Sequence, residues 1–134
     1  MQDTGPGCPF CNPAAEEIIL RNELAYARTD RFPVSSGHLL VIPFRHYQSF
    51  FDSTPAERSA LMDLVVRAKG YIEERHHPDG YNIGVNIGRY AGQAVMHVHL
   101  HVIPRYRVDA KGRRGGVRWV IPRGPPPAEK NWFG

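Results

Sequence analysis

Residues 96–102 read MHVHLHV, three histidines at alternate positions with Val98, Leu100 and Val102 between and after them. Side chains of an extended chain alternate between faces, so His97, His99 and His101 share one face and the aliphatic residues share the other. The segment VMHVHLHVIP is therefore predicted to be a strand with its aliphatic face on a core, ended by Pro104. Alternate Cα atoms lie ~6.6 Å apart, so the outer histidines are ~13 Å apart. A zinc–nitrogen bond is only ~2.0–2.1 Å, so one ion can take neighbouring members of the row but hardly all three. A strand that merely faced water would be served as well by Thr, Lys or Glu. Imidazole, with an ordinary pKa of ~6.5, is about three-quarters neutral at pH 7 and can attack, while a protonated neighbour holds an oxyanion. That division of labour suits attack on phosphorus.

The rest of the chain supplies the frame. EEIILRNELAYART reads as two short strands turning near Asn22, and DRFPVSSG as a loop. HLLVIP, residues 38–43, is a near-continuous apolar run and reads as a buried strand; RHYQSF fits a single helical turn. The clearest helix opens at Thr54, with Pro55 at its first position and Glu57 placed for a capping box. Leu61, Leu64, Val65, Ala68, Tyr71 and Ile72 continue it as an apolar stripe to about His76. His76 and His77 fall in its last turn, where cations favour the helix dipole. YNIGVNIG, residues 81–88, and VRWVIP, residues 117–122, complete the expected strands, and residues 123–134 form a Pro-rich extended tail. This order predicts an α+β fold, an antiparallel sheet of about five strands covered on one face by one long helix. At 134 residues, with 42% hydrophobic and 22% charged content, a single domain over residues 1–134 is expected.

No apolar run approaches the ~18–20 residues of a membrane span, and MQDTGPG does not have the pattern of a signal peptide, so a cytoplasmic location is expected. Arg105, Arg107, Lys111, Arg113, Arg114, Arg118 and Arg123 are opposed only by Asp109. Such a run is either a solvated loop or a field for polyanions. Cys8 and Cys11 form CPFC. The seven preceding residues, with two Gly and one Pro, leave no room for the strand of a thioredoxin-like site. A disulfide does not suit a reducing compartment, which leaves half of a zinc site in need of two further ligands.

HVHLHVI matches the pattern His-φ-His-φ-His-φ-φ, and on it the chain resembles the histidine triad (HIT) superfamily of nucleotide hydrolases and transferases. CPFC looks like the family's N-terminal zinc half-site, DRFPVSSGHLLVIPFRH like its ribose-binding loop and strand, and GYNIGVNIGRYAGQAVMHVHLHVIPRY like its phosphate-binding segment. RGGVRWVIP resembles a C-terminal stretch of prokaryotic members. The resemblance implies that His99 attacks an α-phosphate to form a nucleotidyl-histidine, which water or another acceptor resolves. His101 and Gln93 would hold phosphate oxygens beside His38. Asp30 would bind the ribose hydroxyls, Asn86 and Gly92 would line the phosphate site, and Phe10 would lie against a purine base. Cys8, Cys11, His46 and His97 would close a structural Cys₂His₂ zinc site. Substrates would be dinucleoside polyphosphates or nucleoside phosphoramidates, and the assembly a homodimer, for which Trp119 or the tail could serve. Removal of adenylate from nucleic-acid ends, as in the aprataxin-like branch, and a zinc-stabilised nucleotide binder without turnover are the alternatives; no nucleic-acid-binding extension favours the former. One departure stands out: Ala94 replaces the Ser or Thr that usually follows Gln93 in the family.

Overall fold

The computed structural model describes residues 7–110 and 114–121. Five strands form one antiparallel sheet: β1 (Leu20–Arg21), β2 (Ala25–Thr29), β3 (Leu39–Pro43), β4 (Gly80–Val85) and β5 (Leu100–Arg105). Their spatial order is β1-β2-β3-β5-β4, so β5, which carries His101, lies inside the sheet. The turn between β1 and β2 is fastened by Asn22, whose Oδ1 accepts the Leu24 and Ala25 N–H groups. All five residues of β3 are buried, as an apolar strand covered on both faces requires.

The helix α1 (Pro55–His76) begins as expected: Thr54 accepts the Glu57 N–H and Glu57 accepts the Thr54 N–H. It ends where His77 turns left-handed at φ 49°. Leu61, Leu64, Val65, Ala68 and Ile72 pack on Ala25, Ala27, Leu39, Val41, Val98, Leu100 and Val102. The small side chains of Ala25 and Ala27 let the helix approach β2. Burying each large aliphatic side chain contributes ~1.5–3 kcal/mol. A smaller cluster on the other face joins Cys8, Phe10, Tyr26, Leu40 and Ile42. The α+β architecture expected from the sequence is the observed one, and the aliphatic members of the histidine row do lie under the helix.

Three local expectations are corrected. Regular pairing of the histidine segment starts only at Leu100, because β3 pairs with Leu100, His101 and Val102 alone. Upstream, the Val98 N–H donates to the Tyr47 carbonyl, so the chain there is held by the bend after β3 instead of by a strand. The strand also continues past Pro104 to Arg105, since the ladder to β3 has ended by Val102 and asks no N–H of the proline. Second, VRWVIP is not a strand: residues Gly116–Val120 form a 3₁₀ helix. Gly115 and Gly116, at φ 86° and 31°, break the extended path, and Trp119 Nε1–H donates to the Arg114 carbonyl. Third, the turn foreseen at RHYQSF falls at its end, as a 3₁₀ turn over Phe50–Asp52 capped by Ser49. Residues 122–134, with the proposed tail, lie outside the described residues.

Candidate active site and metal centre

The histidine row divides into two clusters. His97 is fully buried, and its Nε2–H donates to the Pro43 carbonyl at 2.8 Å. That bond fixes the proton on Nε2 and leaves a bare Nδ1. This Nδ1 lies 3.4 Å from Cys8 Sγ, 3.6 Å from Cys11 Sγ and 3.1 Å from His46 Nδ1, and the last is 3.2 Å from Cys11 Sγ. A tetrahedral zinc with Zn–S ~2.3 Å and Zn–N ~2.0–2.1 Å separates its ligand atoms by ~3.3–3.8 Å. All four ligand atoms lie within 4.8 Å of one another. Burial pushes the Cys8 thiol up and His97 down to about 4, so a thiolate here needs a cation beside it and the imidazole is neutral, ready to coordinate. The residues fit the ion in donor type, spacing and protonation.

His46 is placed by its neighbour. Arg45 forks onto Glu57 with two bonds of 2.8 Å, which ties the bend after β3 to the start of α1. The Arg45 guanidinium in turn holds the Glu57 carboxyl down to about 2, with the Thr54 N–H assisting.

The second cluster works through proton positions. His99 Nδ1–H donates to the His97 carbonyl at 2.8 Å, so Nε2 keeps its lone pair. His38 Nδ1 accepts the Val34 N–H at 3.2 Å, which puts its proton on Nε2. From there it reaches His101 Nδ1 at 2.9 Å, with Asp30 Oδ2 at 3.2 Å. His101 must then carry its own proton on Nε2. The row thus presents an imidazole lone pair on His99 beside an N–H donor on His101, the ring centroids 5.2 Å apart. Burial lowers the pKa of His38 and His99 and, helped by the neighbouring imidazoles, brings His101 down to about 4. Asp30, His38 and His101 are close enough to suggest a second metal. The Val34 N–H argues against it, because it leaves the proton on the His38 nitrogen that would have to coordinate.

These side chains open onto a cleft of about 380 Å³. Phe10, Asp30, His38, Asn86, Gly92, His99 and His101 all line it. Phe10 packs on His99 at 5.1 Å between centroids, and its carbonyl accepts Tyr26 O–H. Asp30 Oδ1 accepts the Phe32 N–H, so the residue also serves its own turn. Ala94 lines the cleft with no hydroxyl to offer. Gln93 does not line it. Its Oε1 accepts the Gly88 N–H, and its Nε2 donates to the Gln48 and Val95 carbonyls. The side chain expected on phosphate oxygens is thus spent on shaping the Gly88–Gly92 loop, whose ends are both at positive φ. Sequence reasoning passed over Arg28, which is 5% exposed in the cleft wall and ion-paired to Glu17 at 2.8 Å. Its signal was the two-residue spacing to Asp30 at the end of the strand.

The HIT domain model matches residues 12–108. The chain belongs to the HIT family. It is 36% identical over 94 residues to an AP-4-A phosphorylase of Mycobacterium tuberculosis, covering 69% of this chain and 48% of that protein. It is 37% identical over 97 residues to an asymmetrical bis(5'-nucleosyl)-tetraphosphatase of Schizosaccharomyces pombe, covering 72% of this chain and 53% of that one. The HIT chain thus spans about half the length of these curated relatives. A solved Zn-bound histidine triad family protein from Mycobacterium smegmatis superposes with a TM-score of 0.68 at 34% identity, over 77% of this chain and 78% of that one. Among the described residues, no helix of this HIT protein is long and apolar enough to cross a membrane.

Proposed function

We propose that this HIT protein cleaves at the α-phosphate of dinucleoside polyphosphates or nucleoside phosphoramidates through a nucleotidyl-His99 intermediate. The observation that carries the reading is the tautomer of His99: its Nδ1–H is held by the His97 carbonyl, so the lone pair on Nε2 is the one available to attack. His99 Nε2 forms a bond to phosphorus in line as the bond from phosphorus to the leaving group breaks. His101 donates its Nε2–H to a non-bridging oxygen. Water then attacks phosphorus and gives up a proton to solvent, the phosphorus–nitrogen bond breaks with its electron pair returning to His99 Nε2, and the mononucleotide leaves with neutral His99 restored. Asp30 binds ribose hydroxyls with its remaining lone pairs, and Asn86 and Gly92 border the phosphate. Gln93 acts by positioning. Cys8, Cys11, His46 and His97 would hold a zinc ion, whose contribution is a cross-link that keeps His97 and Phe10 in place.

Ala94 bears on the leaving group. A polyphosphate departs as a stable anion, whereas an amine leaves only with a proton. A cleft wall without a hydroxyl there favours anhydride over phosphoramidate substrates. The same residue is the one observation that favours a binder without turnover. The edge strand β4, with Ile83 half exposed, supports a homodimer.

Rapid mixing with a dinucleoside tetraphosphate labelled at the α-phosphate, followed by acid-free denaturing electrophoresis, should trap a labelled chain. The label should map to His99 and be absent from His99→Ala. Turnover without an adduct, or an adduct on another residue, would overturn the mechanism; binding without turnover would establish the binder.

A further inference from the structure

We propose that Arg28 selects the nucleobase, favouring guanine over adenine; the inference rests on the nucleotide reading above. Arg28, near the end of β2, and Asp30, just past it, both line the cleft. With the ribose at Asp30 and the base against Phe10, as the nucleotide reading has them, the base would come beside Arg28. Pro9, Phe10, Leu40 and Val95 line the cleft with it; the other guanidinium of the lining, Arg31, is exposed and also pairs with Glu17, so Arg28 is the buried donor there. Arg28 is nearly fully buried, with its guanidinium carbon 6.0 Å from the centre of the Phe10 ring.

Its orientation is fixed by Glu17, which takes one Nη2–H at 2.8 Å; Nη1 makes a long 3.5 Å contact with the Pro9 carbonyl, and the guanidinium also hydrogen-bonds the Tyr26 side chain. A guanidinium carries five N–H donors and no acceptor. Donors therefore remain for a ligand, and they can be matched only by acceptors. Guanine presents O6 and N7 side by side, the pair that arginine meets bidentately. Adenine presents N7 beside the N6 amino group, itself a donor, and so sets donor against donor. A buried charged donor left unmatched carries its full desolvation cost.

The test is calorimetric titration of the full chain, zinc-loaded, with GMP, IMP and AMP. GMP should bind roughly tenfold or more tightly than AMP, the discrimination expected of one bidentate pair. IMP, which keeps O6 and N7 but lacks the 2-amino group, should follow GMP. Arg28→Met should bring GMP to within about twofold of AMP, and Arg28→Lys, which keeps the charge but loses the fork, should fall between. Equal or tighter binding of AMP by the unaltered chain would overturn the inference alone, as would an Arg28→Met variant weakened equally for all three. The comparison in the unaltered chain decides even if a variant fails to fold. Failure of all three to bind at millimolar concentration would overturn the nucleotide reading itself.

Discussion

Two clusters of imidazoles, built around residues 97–101, sit a few ångströms apart, and they are chemically opposite. Around His97 both nitrogens are turned inward, one to the Pro43 carbonyl and one to Cys8, Cys11 and His46. Around His99 and His101 one nitrogen of each ring faces inward, and the other is left to the cleft. Residue type does not separate the two, and neither does burial, since His97 and His99 are 0% and 8% exposed. What separates them is what meets the second nitrogen: Cys8, Cys11 and His46 at His97, the open cleft at His99 and His101. A closed set holds an ion; an open set can form and break a bond.

The largest expected effect breaks the open half. His99→Ala should lower turnover by on the order of 10⁴-fold or more while mononucleotide affinity survives, because only the attacking atom is lost. Parallel kinetics and calorimetry on the variant check both parts.

Breaking the closed half should have the reverse signature. Metal analysis should find about one zinc per chain, and Cys8→Ser should lower Tm by ~10 °C or more through the coupling of metal binding to folding. Its kcat at saturating substrate should change less than tenfold. A freshly reduced protein with a Cys8–Cys11 disulfide and no metal, before and after zinc addition, would be the contrary result.

Asp30→Asn probes the seam between the ribose and the His38–His101 pair. Replacing an ionised acceptor should weaken ribonucleotides more than 2'-deoxynucleotides, by about 1.5–3 kcal/mol. The Asn amide could also turn an N–H towards His38 Nε2–H, so kcat should fall for both sugars. Equal losses in affinity for ribo and deoxy ligands would remove Asp30 from the sugar and leave only its contact with His38.

The pH profile is a gentler test. Burial holds His99 below the ordinary imidazole pKa. The neutral ring is the nucleophile, so protonation removes activity. kcat/KM, which reports the free enzyme, should therefore stay level below pH ~6.5 and decline only at more acid pH. A decline centred at or above ~6.5 would show that His99 is not desolvated.

The smallest effect concerns the strut behind His46. Glu57→Ala removes the capping box and the Arg45 fork together, and should cost about 1–2 kcal/mol of stability with little change in chemistry, read by denaturant unfolding.

What was legible in the sequence was what depends on side-chain type at short range. Thr54, Pro55 and Glu57 announce a helix because capping is a local matter, and the alternation of His97, His99 and His101 survives even where regular pairing does not. VRWVIP was misread because its β-branched residues say nothing of a missing strand partner or of the left-handed Gly115–Gly116 pair before it. The decisive partners, the Pro43 and His97 carbonyls and the Val34 N–H, were invisible for a plainer reason. Every residue owns a carbonyl and nearly all own an N–H, so the sequence carries no mark of which ones a fold will aim at an imidazole. Gln93 was placed on the phosphate by its neighbours in the motif, and only its three bonds to backbone show where its amide is used.

Phe10 stands between Cys8 and Cys11 in the chain and touches both clusters, with ring centroids 5.9 Å from His97 and 5.1 Å from His99. The ring that walls the cleft is thus carried on the loop that the ion would tie down. Any ligand resting on Phe10 and any ion gripping its two flanking thiolates then share a thermodynamic cycle, which must close. Whatever factor zinc adds to nucleotide affinity, bound nucleotide must add to zinc affinity. A cell's supply of one would set how firmly the protein keeps the other.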